Sequence, residues 1–95
     1  MPAYMIVQIN VTDPEKFARY REAVPRVIEA SGGRYLVRGG TVEVLEGSYD
    51  GRRLVLFEFP SVEAIKRFWH SREYAQVKAL RENAADIDVW AVPGV

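Results

Sequence analysis

Hydrophobic positions recur along this chain with two periods, and the period-two segments are the more telling. Arg53 to Phe59 reads Arg-Leu-Val-Leu-Phe-Glu-Phe and is apolar on both parities: Leu54 and Leu56 point one way, Val55, Phe57 and Phe59 the other. Such a run predicts a strand buried on both faces. Ala3 to Val11 repeats the pattern, with Met5, Val7 and Ile9 against Tyr4 and Ile6, so a second central strand is expected there. Arg34 to Arg38 is a weaker strand, with Tyr35 and Val37 on one parity. Gly39-Gly40 is expected to bend or bulge it, and Thr41 to Glu46 to continue extended. After a turn-rich loop over Gly47 to Gly51, the fourth predicted strand is Asp86 to Val92, with Ile87, Val89 and Ala91 opposite Trp90 and Val92.

The remaining segments have helical period. Asp13-Pro14-Glu15 supplies an N-cap, a proline at the first helical position and an acid in the first turn. Phe17, Tyr20, Val24, Val27 and Ile28 then share one arc, and Glu15, Arg19, Glu22, Arg26 and Glu29 the opposite one. Glu15–Arg19 and Glu22–Arg26 are i,i+4 pairs. Arg21 falls at the edge of the apolar arc. Pro25 removes the hydrogen bond to the Arg21 carbonyl, which predicts a kink. Ser31-Gly32-Gly33 ends the helix. Ser61 opens a short second helix burying Val62, Ile65, Phe68 and Trp69. Ser71 opens a third, burying Tyr74, Val77 and Leu80.

The order β-α-β-β-α-β, with a broken second helix, predicts an α+β, ferredoxin-like sheet of four antiparallel strands in the order 4-1-3-2. That order centres the first and third strands, the two that are apolar on both faces. The helices cover one face only. The other would show large apolar side chains to water, so a two-fold homodimer through the sheet face is expected.

Composition narrows the class. Ninety-five residues make one domain, 1–95. The 13 basic and 13 acidic residues cancel, which argues against a nucleic-acid groove or a membrane surface. There is no cysteine, hence no disulfide, thiolate nucleophile or zinc-thiolate site. No signal peptide and no apolar run near the roughly 20 residues of a membrane span is visible, so a cytoplasmic location is the default.

Several stretches resemble one family. They are Tyr4-Met5-Ile6-Val7, Asp13-Pro14, Gly32 to Gly40 (Gly-Gly-Arg-Tyr-Leu-Val-Arg-Gly-Gly), Glu43 to Gly47, Arg53-Leu54-Val55, Glu58-Phe59-Pro60-Ser61 and Ser71-Arg72-Glu73-Tyr74. They are similar to the domain-of-unknown-function 1330 family of the dimeric α+β barrel superfamily. The resemblance implies a ferredoxin-like protomer and a homodimer whose sheets form a barrel. It brings no settled mechanism. The wider superfamily includes cofactor-free monooxygenases, haem-binding proteins and muconolactone-isomerase-like enzymes, whose decisive ligands this chain lacks.

Few residues suggest chemistry. His70, the single histidine, falls on the exposed side of a helix end and is read as a surface group; metal or haem ligation through it is not expected. Arg38, before Gly39-Gly40, either grips a carboxylate or phosphate or locks the bend by pairing with a glutamate. Arg21 either binds an anion beneath the first helix or snorkels past Phe17. Glu58, an acid in the most apolar strand, is either a base with a raised pKa near Tyr4 or one half of an arginine pair. Trp69, Trp90 and Tyr35 either pack the core or line a ligand box. No nucleophile elbow, dinucleotide fingerprint or Walker sequence is present.

Two readings follow. In one, the dimer binds a small acidic or aromatic molecule between helices and sheet, near Arg21, Arg38, Glu58 and Trp69, with cofactor-free isomerase or monooxygenase-type chemistry left open. In the other, it is a non-catalytic structural or stress-associated dimeric scaffold. No cofactor is expected in either, and the sequence does not decide whether the protein is an enzyme.

Overall fold

The computed structural model describes all residues, 1–95. Its elements run β1 (Ala3–Val11), α1 (Pro14–Ala30), β2 (Arg34–Arg38), β3 (Arg53–Phe59), α2 (Val62–Trp69), α3 (Arg72–Ala79) and β4 (Ala85–Pro93). The strands are antiparallel in the order β2-β3-β1-β4, the ferredoxin-like arrangement expected.

The helix boundaries follow from local chemistry. Asp13 Oδ1 accepts from the Lys16 amide at 3.1 Å to open α1. Ser61 and Ser71 do the same for Ala64 and Tyr74, each at 3.1 Å, so α2 and α3 are separately capped helices rather than one bent one. At the end of α1, Gly32 has φ +86°. The Gly32 and Gly33 amides donate to the Glu29 and Ile28 carbonyls at 3.1 and 3.0 Å, a Schellman closure that needs glycine at the left-handed position. The α1 helix runs unbroken through Pro25.

The helix-facing parity is the odd one. Ala3, Met5, Val7 and Ile9 of β1, with Val55, Phe57 and Phe59 of β3, are at most 8% exposed. They pack against Phe17, Val24 and Ile28 of α1, Ala64, Ile65 and Phe68 of α2, and Tyr74 of α3. Each fully buried side chain of this size contributes about 1.5–3 kcal/mol. The opposite face has no helix over it. Cross-strand pairing aligns Leu56, Ile6 and Trp90 in one row and Glu58, Tyr4 and Val92 in the next. Trp90 remains 49% exposed and Val92 42%. The molecule is a slab of 38 × 37 × 16 Å, two layers thick.

Four expectations need correction. Thr41 to Glu46 is not a strand: the chain leaves the ladder at Gly39, and Val44 and Leu45 are exposed. Alternation alone does not make a strand where no neighbour offers hydrogen bonds. The bulge lies earlier than Gly39-Gly40. Tyr35 pairs with Phe57 but Val37 with Leu56, so Leu36 is the extra residue, and Tyr35 and Val37 face opposite sides. Leu80 is the C-cap of α3 and lies at its surface. Glu15–Arg19 and Glu22–Arg26 do not close into ion pairs, as the chain's salt bridges involve Arg34 and Arg52 alone; exposed pairs of this kind gain little.

Candidate functional site

A cleft opens between the helix-facing side of the sheet and helices α1 and α3. Its floor is Met5, Val7 and Ile9 of β1, Val55 and Phe57 of β3, and Ile87 and Val89 of β4. Its roof includes Phe17, Tyr20 and Val24 of α1, Trp69 of α2 and Tyr74 of α3. About 60 Å³ inside is free, room for more than one water. Counting the open solvent at its mouth, the cleft spans about 630 Å³; the enclosed part alone is smaller than most small-molecule sites.

Fifteen of the 19 lining residues are hydrophobic, and the other four are Arg21, Arg38, Arg53 and Arg81. No carboxylate joins them, and none of the four makes an ion pair. Four guanidiniums in an apolar cleft, on a chain with no net charge, focus positive potential there.

Each arginine is held by contacts that leave its charge unmatched. The Leu36 bulge returns Arg38 to the helix side, opposite Val55. Its guanidinium lies 4.5 Å from the centre of the Tyr35 ring, which in turn packs 4.5 Å from Phe57. Burial raises the Tyr35 pKa and Arg38 opposes that rise. Arg53 lies against Gly39, whose φ is +75° and whose missing side chain would strike the Arg53 Nε. The close approach that the glycine allows is therefore made by an arginine. Arg21 stands over the Phe17 ring at 5.6 Å.

The fourth arginine belongs to a polar cluster in the roof. The Tyr20 and Tyr74 hydroxyl oxygens are 3.0 Å apart, and Arg81 Nη2 is 3.5 Å from the Tyr74 oxygen. Arg81 also stands 5.3 Å from the Tyr20 ring centre. Burial, then the neighbouring Tyr74, pushes the Tyr20 pKa well above the usual tyrosine value.

The structure thus brings Arg21, Arg38 and Trp69 to one cleft and leaves Glu58 outside it. Glu58 projects from the other sheet face, where it accepts from Arg34 Nε at 2.7 Å. Arg34 is its direct cross-strand neighbour, as is Tyr4 on the other side. Trp69 packs 5.2 Å from Tyr74 and lies beneath Lys78. His70 caps α2 at the surface. No group of three or more His, Cys, Asp or Glu is placed to hold a metal ion.

Arg53, Arg81, Tyr20 and Tyr74 were not legible as site residues. The one available signal was tyrosine rather than phenylalanine at core phase on two helices, since a buried hydroxyl needs a partner.

Comparisons place this geometry in a known fold. The chain superposes on RPA0582, a protein of unknown function from Rhodopseudomonas palustris, with a TM-score of 0.77, 21% identity, and 99% of this chain and 82% of that one covered. A dimeric ferredoxin-like protein of unknown function from Jannaschia sp. CCS1 matches with TM-score 0.66 and 11% identity, over 99% and 100% of the two chains. A candidate antibiotic biosynthesis monooxygenase from Caulobacter crescentus CB15 matches with TM-score 0.64 and 17% identity, over 99% and 90%. At these identities the likeness carries the fold alone. No curated protein matches the chain. The family described as a domain of unknown function (DUF1330) matches residues 2–95, and the chain belongs to that family.

Proposed function

We propose that the protein is a homodimer that binds a small organic acid with an apolar body in the cleft between α1, α3 and the sheet. The observation that carries this is the set of four arginines with no acid among them in an otherwise apolar lining. No carboxylate in the lining balances these four guanidiniums, and like charges gathered around one apolar cleft repel one another. An entering carboxylate relieves both conditions, and the aromatic and aliphatic walls take up its body.

Binding rather than turnover is what these groups support. Isomerisation or cofactor-free oxygenation begins with proton removal, and the cleft offers no carboxylate or imidazole as base. The Caulobacter neighbour therefore lends its fold and no reaction. The scaffold reading keeps one observation in its favour, the small enclosed volume of about 60 Å³.

A thermal-shift comparison of 4-phenylbutanoate with its neutral amide tests the reading. The acid should raise the melting temperature and the amide should not. Arg38→Ala should weaken acid binding roughly tenfold, the worth of one charge-assisted hydrogen bond. Equal responses to acid and amide, or none to either across a panel of small carboxylates, would leave the scaffold reading standing.

A further inference from the structure

We infer that the roof cluster of Tyr20, Tyr74 and Arg81 is a seat for a ketone oxygen, so that the acid bound in the cleft is an oxo acid. The inference rests on the acid-binding reading above. It adds a second polar contact at a different place in the cleft.

It follows from a count of donors. Tyr20 and Tyr74 carry two hydroxyl protons and share one hydrogen bond. One proton is used between them, and the other has no acceptor in the chain. Arg81 Nη2 approaches the Tyr74 oxygen, which occupies a lone pair rather than supplying one. The Arg81 Nε–H is buried and also has no acceptor. Two donors thus stand unmet in one corner of the cleft, where an unmet buried donor is costly. A ketone oxygen has two lone pairs and accepts from both.

The two seats suit different oxygens. Arg38 is exposed and Arg53 half-exposed at the neighbouring ends of β2 and β3, and Arg53 Nη2 lies 3.5 Å from the Arg38 carbonyl. Two guanidiniums near water hold a carboxylate at low desolvation cost. The roof seat is drier, with Tyr74 only 2% exposed. A neutral oxygen enters such a place far more cheaply than a charged one. The raised pKa of Tyr20 keeps its proton available for donation across the ordinary pH range.

Two pairs of probes test this: 4-oxo-4-phenylbutanoate with 4-phenylbutanoate, and 4-oxopentanoate with pentanoate. Within each pair the only change is a ketone in place of a methylene. The readout is the ratio of dissociation constants within a pair, measured by calorimetric titration. In the wild type the oxo acid should bind about tenfold tighter in at least one pair. The double variant Tyr20→Phe/Tyr74→Phe removes both hydroxyl protons without changing the rings and should bring that ratio close to one, whereas either single variant frees the remaining hydroxyl proton from the shared bond and should keep the preference. Arg38→Ala should weaken both members and keep the ratio. A wild-type ratio near one, with the acids still binding, would overturn the ketone seat and leave the acid site intact. A ratio that survives the double variant would also overturn it. Acids that fail to bind the wild type would overturn the acid site and the ketone seat together.

Discussion

Single side chains in this protein do two kinds of work, and Gly39 and Tyr20 show both. Gly39 adopts φ +75° while the Arg53 side chain occupies the space a Cβ would need. Gly39→Ala should therefore cost about 1–3 kcal/mol in backbone strain and push Arg53 away from the cleft. Denaturant midpoints and acid binding should fall together; a variant unchanged in both would show that Arg53 is free to move aside. Tyr20 predicts an alkaline effect. Its folded pKa lies above the usual tyrosine value of about 10 because of burial and then Tyr74. Above that pH the unfolded chain has lost the proton and the folded one has kept it. The folded state then binds more protons, and stability falls with rising pH by up to about 1.4 kcal/mol per unit. Urea midpoints compared between pH 9 and pH 11 should therefore drop less in Tyr20→Phe than in wild type. Parallel losses would place the alkaline sensitivity elsewhere.

At the level of elements, what the sequence revealed depended on whether one segment carried the information. The central position of β1 and β3 was readable because each is apolar on both parities. The caps were readable because Asp13, Ser61 and Ser71 act within three residues of themselves. Which parity meets the helices was not readable, for the same reason that the strands are central: both faces are greasy. The Leu36 bulge left no mark either, because no glycine or proline stands at the extra residue. The neighbouring Gly39-Gly40 drew the expected irregularity to itself. The cleft was hardest to see, since Tyr20, Tyr74 and Arg81 come from two helices and a loop and meet only after folding. The bulge yields its own prediction. Deleting Leu36 leaves Val37 opposite Leu56 and Arg38 opposite Val55, so Arg38 stays on the helix side. The deletion variant should fold and keep its response to 4-phenylbutanoate. In a strand without a bulge the same deletion turns Arg38 to the other face and abolishes its share of binding.

The whole molecule has two faces with different assignments. The open sheet face presents Leu56, Ile6 and Trp90 in a row, with Tyr4 and Val92 beside it. Its far end is polar, where Arg52 joins Asp50, Asp88 and Gln8 at 2.8, 2.6 and 2.7 Å. The proposed homodimer covers the apolar rows. Trp90→Glu should halve the mass seen by light scattering while leaving the protomer folded, because Trp90 lies outside the buried core. An unchanged mass would place the interface elsewhere. The helix-facing cleft carries the functional assignment, and the most direct measurement is of its arginines. In ¹H–¹⁵N spectra of the arginine Nε–H groups, titration with 4-phenylbutanoate should move Arg38 and Arg53 saturably and leave the paired Arg34 and Arg52 still. Small, unsaturating shifts spread over all the arginines, or shifts led by Arg34 and Arg52, would contradict an acid-binding cleft.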